Sequence, residues 1–132
     1  MRLAGAAAAI LVLGVALGGC GNDKPSVCGS VDALETSINN VGNIDPASPN
    51  AVDELKLAIS NIESDMEQVK SDAKTQFSSQ IDAVNSSLAT LKTRVTAAKA
   101  DPTAVNVAAA GAALGPFTSD AKTLISDVKS TC

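Results

Sequence analysis

Residues 51 to 100 contain neither glycine nor proline. Within that span apolar residues recur at Val52, Leu55, Ile59, Ile62, Met66, Val69 and Ala73, then at Phe77, Ile81, Val84, Leu88, Leu91, Val95 and Ala98. Steps of three and four put them along one side of a helix. Two successive steps of four around Phe77 are a stutter in the heptad, which shifts the stripe without ending the helix. Read continuously, the segment is one helix of about 75 Å at 1.5 Å per residue. Asn50 offers an N-cap, Asp53 and Glu54 fall in the first turn, and Lys92, Arg94 and Lys99 near the end complement the macrodipole. The rival reading is a turn near residues 71–79, which divides the segment and makes a four-helix up-down bundle.

Shorter helical stripes flank the long one. Val27, Val31, Leu34, Ile38 and Val41 form the first, which stops at Gly42. The stretch Gly42-Asn43-Ile44-Asp45-Pro46-Ala47-Ser48-Pro49 is the clearest loop in the chain. Asp101-Pro102 reads as a cap and first-turn proline for a last helix with Val107, Ala110, Leu114, Phe117, Ala121, Leu124, Val128 and Thr131 on one face. That stripe keeps its phase through Gly115-Pro116, so a kink is expected there and no break. Small residues over 104–115 suit a close approach of two helices. The fold class is therefore all-α, an antiparallel helical hairpin or bundle with one long central helix at about 51–100. Laid end to end, the outer helices nearly match the long one in length.

The N-terminus carries an address. Arg2 precedes an apolar run from Leu3 to Leu17, about 15 residues long and broken by Gly5 and Gly14, short of the roughly 20 that a spanning helix needs. The run ends in Leu17-Gly18-Gly19-Cys20, which resembles the lipobox of bacterial lipoproteins. That resemblance implies cleavage after Gly19, with Leu17, Gly18 and Gly19 as the recognition residues. Cys20 would then be the first residue of the mature chain, carrying diacylglycerol and other acyl groups such as palmitate. Each buried CH₂ contributes about 0.8 kcal/mol, so two or three chains hold firmly without a basic patch. Residues 1–19 are thus a leader, 20–26 a lipidated tether rich in turn formers, and 27–132 the helical domain. The expected location is the extracytoplasmic face of the cell membrane.

With Cys20 acylated, Cys28 and Cys132 remain, one near each end of the helical domain. An even pair in an oxidising compartment predicts a disulfide. Both the long-helix arrangement and the four-helix bundle bring these two residues together.

Chemistry is sparse. The chain has no histidine, so the commonest general base and metal ligand are missing, and no enzyme activity, cofactor or metal is expected. Net charge is −4 with Arg2 and −5 without it, which leaves no basic stripe for nucleic acid. The same acidity favours standing off an anionic membrane over lying on it. Glu63, Asp65, Glu67 and Asp72 cluster, yet Lys70 and Lys74 follow Glu63 and Glu67 at helical spacing, as on a solvated ion-paired face. Asn85-Ser86-Ser87 fits a glycosylation acceptor but lies within a helix of a bacterial protein. As a whole the chain is loosely similar to the small Ala- and Ser-rich helical lipoproteins of high-GC Gram-positive bacteria, which implies an envelope location and transfers no functional residue. The expected role is a non-enzymatic interaction or spacer module that meets the membrane through its lipid and engages an envelope protein or a second copy. The alternative is a carrier of a small apolar ligand, held in a groove along the last helix.

Overall fold

The computed structural model describes residues 25–132. The leader, the lipobox and Cys20 lie outside the described residues. Four helices follow one another: α1 Ser26–Gly42, α2 Ala51–Ala73, α3 Ser78–Ala100 and α4 Ala104–Lys129. The all-α class holds, and the architecture is the up-down bundle. Each helix packs against its chain neighbours and α1 closes the ring against α4, while the diagonal pairs stay apart.

The segment 51–100 is therefore two helices, and the single long helix is corrected. Its interruption at residues 74–77 uses no glycine. Lys74 has φ 57° and ψ −109°, and Phe77 sits in the left-handed region at φ 60° and ψ 20°. Each such residue costs on the order of 1–3 kcal/mol. The offset is burial: Val69 and Ala73 before the turn and Ile81 and Val84 after it all lie in the core, and the ring of Phe77 packs against it. Two caps also differ from expectation. Asn50 makes no side-chain cap bond to α2. At α4 the capping residue is Thr103, whose hydroxyl accepts from the Asn106 N–H, and the helix begins after Pro102.

Cross-helix bonds fix the antiparallel register. Ser30 and Ser37 of α1 donate to Asp72 and Asp65 of α2. Lys92 of α3 pairs with Glu63 of α2 at 2.7 Å, and Lys99 pairs with Asp53. Gln80 of α3 donates to Asp127 of α4 at 3.0 Å. Around this frame Val31, Leu34, Ile62, Val69, Val84, Leu91, Phe117, Leu124 and Val128 are fully buried. Phe117 is the largest of them, and it follows directly on Pro116, which α4 accommodates without breaking. Proline lacks an N–H, so the Ala112 carbonyl loses its helical partner. Pro116 lies on the exposed side of α4, where water can replace that bond.

The disulfide joins Cys28 to Cys132, with Cα atoms 6.2 Å apart. It lies at the same end of the bundle as the 74–77 turn, since Ser30 of α1 meets Asp72 at the end of α2. The opposite end carries the loops 43–50 and 101–103. Residues 25–132 thus hold a complete core, all four helices and the covalent clasp.

Candidate functional site

The end of the bundle far from the disulfide is its least finished part. Helix α1 has 17 residues and α4 has 26, a shortfall of nine residues, or about 13 Å at 1.5 Å per residue. The first turns of α4 and α2 project past α1 and are covered only by the loop after it. Val41, Ile44 and Pro46 from that side face Leu55, Val95, Val107 and Leu114 across an apolar cleft of about 120 Å³. The cleft lies between two hairpins, α1–α2 and α3–α4.

Along α4 the exposed surface is apolar as well. No charged residue occurs between Asp101 and Asp120. Of residues 104–116 only Ala110 is buried. Val105 is 77% exposed and Val107 43% exposed, among the few large apolar side chains left in solvent. The stripe placed Val107 in the core, and the structure corrects that. Small residues of this segment approach their neighbours less closely than expected: a Cβ added at Gly111 or Gly115 meets nothing within 4 Å. The shortness of α1 is the physical reason, because on that side no helix lies beside these turns and only α3 flanks them. In the sequence the signal was available in the early stop at Gly42, read against the length of the last stripe.

A second depression runs between α2 and α3, about 390 Å³ and open to solvent, with Leu57, Ser60 and Thr96 along it. Leu57 is 66% exposed. Of the charged groups beside it, Glu63 pairs with Lys92 and Asp53 with Lys99, while Lys56 also lines the groove without an ion-pair partner among the described residues.

The acidic residues singled out in the sequence do not converge. Asp65 and Asp72 accept from α1 serines and Glu63 pairs across to α3, and neither Glu63 nor Glu67 is ion-paired with Lys70 or Lys74. Hydrogen bonds from Gln68 and Ser30 hold the Asp72 carboxyl below the usual carboxylate range. Lys129 of α4 contacts Glu35 and, at 3.5 Å, Asp32, and the hydrogen bond to Glu35 raises its pKa above that of an ordinary lysine. Among the described residues no three His, Cys, Asp or Glu side chains are grouped to hold a metal ion. No described helix is long and apolar enough to cross a membrane. Asn85 lies within α3, as the sequence reading had it. Comparison with models of known protein families, with curated proteins and with solved structures finds no match.

Proposed function

We propose that the chain is a non-enzymatic, lipid-anchored envelope protein that holds an uncharged helix face away from the membrane for an apolar segment of a protein partner. The address rests on the sequence Leu17-Gly18-Gly19-Cys20, with diacylglycerol on Cys20. The role rests on one structural observation. α1 starts at Ser26 at the disulfide end, whereas the exposed, charge-free start of α4 lies at the opposite end. A tether running from Cys20 into α1 puts the membrane at the first end and the apolar face at the second. α4 is about 39 Å long, so the stand-off amounts to most of a bundle length. Val105 shares one exposed, uncharged side of the helix with Ala108 and Ala112, a setting that suits a protein–protein contact.

Metabolic labelling with an alkyne fatty acid tests the anchor. Label on the wild-type chain and none on Cys20→Ser supports it, and equal labelling of the two contradicts it. For the face, Val105→Glu with Ala108→Glu places two charges on one exposed side of the helix, where the partner's apolar segment would sit, without touching the core. Loss of cross-linked partner with unchanged melting is the expected result.

The carrier reading draws support from the apolar cleft between the hairpins. Its volume of about 120 Å³ decides against it in the closed form, because ligand pockets usually measure about 300–1,000 Å³. Native mass spectrometry of gently extracted protein distinguishes the two: a retained apolar small molecule favours the carrier.

A further inference from the structure

The bundle is built from two hairpins, α1–α2 and α3–α4, and every covalent link between them is at one end. These links are the 74–77 turn and the Cys28–Cys132 disulfide. Packing within each hairpin is also denser than packing between them. Such an object can swing open about the linked end with both hairpins intact.

The turn itself points the same way. Lys74 and Phe77 hold positive φ without glycine, and no side chain caps the start of α3. Lys74, Thr75 and Gln76 are exposed, and nothing in the segment breaks a helix. The apolar stripe passes through it at Val69, Ala73, Phe77 and Ile81, in steps of four. A continuous helix across residues 51–100 is what the local sequence prefers, and only the packing of one hairpin on the other bends it back.

We infer that a second copy of this chain can take the place of that intramolecular packing, giving a hairpin-exchanged dimer in which α2 and α3 fuse into one helix. In the opened chain α1 and α4 lie end to end along the fused helix, with Cys28 still beside Cys132, so the disulfide stays intact. The face exposed by opening, lined by Ile62, Val69, Val84 and Leu91, is covered by the same residues of the partner. Each native contact between hairpins is regained between chains, while both strained turns are replaced by helix. Short strained hinges favour exchange of this kind. Confinement of anchored chains to a membrane would raise the local concentration that dimerisation needs. The inference stands on the fold and does not depend on the anchor or on the partner proposed above.

The test uses oxidised residues 25–132, which contain the whole core, with a donor and an acceptor fluorophore introduced as unnatural amino acids at Ser60 and Thr96. These two positions flank the same groove in the closed bundle. In the fused helix they are 36 residues apart, or about 54 Å. Doubly labelled chain is diluted into excess unlabelled chain, concentrated under mildly destabilising conditions, and separated by size. The dimer fraction is expected to lose energy transfer while the monomer keeps it. Lys74→Gly relieves the turn and weakens the fused helix by roughly tenfold per hinge, so two hinges raise the dimer dissociation constant about a hundredfold. Circular dichroism on the Lys74→Gly monomer checks that its helix content is retained. No dimer up to millimolar concentration, a dimer that keeps full transfer, or a dimer indifferent to a folded Lys74→Gly chain would each overturn the inference.

Discussion

Removing the disulfide should cost this bundle a large share of its stability, and Cys132→Ser is the cleanest way to do it. Cys132 is exposed, whereas Cys28 is 5% exposed and packed in the core. The Cys28 thiol can remain there as a small apolar side chain with no new polar group buried. Cys28 and Cys132 are separated by 104 residues. The chain-entropy relation for a loop of that size gives about 4.7 kcal/mol of destabilisation. With an unfolding entropy near 2.1 cal/mol/K per residue over the folded part, the midpoint should fall by about 20 °C. Thermal unfolding followed by helical circular dichroism at micromolar concentration, wild type against Cys132→Ser, reads this directly. Reduction of the wild type should reproduce the shift. A fall of only a few degrees in both samples would refute the loop-entropy reasoning, since it would mean that the unfolded chain is already held compact without the bridge.

Three further outcomes follow from the packing. Gly29 is exposed within α1 and an added Cβ meets nothing, so Gly29→Ala should stabilise by about 0.5–1 kcal/mol in urea unfolding through helix propensity. Phe117→Ala removes the largest fully buried side chain and should cost about 3–5 kcal/mol in the same assay. Asp72 accepts hydrogen bonds from Ser30 and Gln68 that lower its pKa. Its contribution is therefore present above the usual carboxylate range and lost as pH falls through the lowered folded-state value. Asp72→Asn should accordingly be less stable than wild type at neutral pH, and the two urea midpoints should converge in acid.

Much of this fold is legible in the residues. The four stripes, the loop after Gly42, the passage of α4 through Pro116 and the pairing of Cys28 with Cys132 all follow from spacing and composition. The division of the central segment does not, because the chain turns at Lys74 and Phe77 without the glycine that normally announces positive φ. Its one trace is the stutter at Ala73, Phe77 and Ile81, which is equally compatible with a continuous helix. Burial decides between the two, and burial is a tertiary quantity. The exposed start of α4 was hidden for a related reason. Val107 continues the stripe of Ala110 and Leu114, but whether a stripe is covered depends on how far the neighbouring helix reaches, and α1 ends early. The Glu63 pairing shows the same limit, since its partner Lys92 lies on α3 and no spacing within α2 announces it.

Whether anchoring at Cys20 presents the start of α4 to an envelope partner, as proposed above, is decided by site-specific photo-cross-linking in intact cells. A photoreactive residue at Val105 is compared with one at Lys122, exposed further along α4 toward the disulfide end, in wild-type and Cys20→Ser backgrounds. A discrete adduct is expected from Val105, absent from Lys122 and lost when Cys20 is replaced. The same adducts from both positions, or a Val105 adduct that survives release from the membrane, would contradict the proposal.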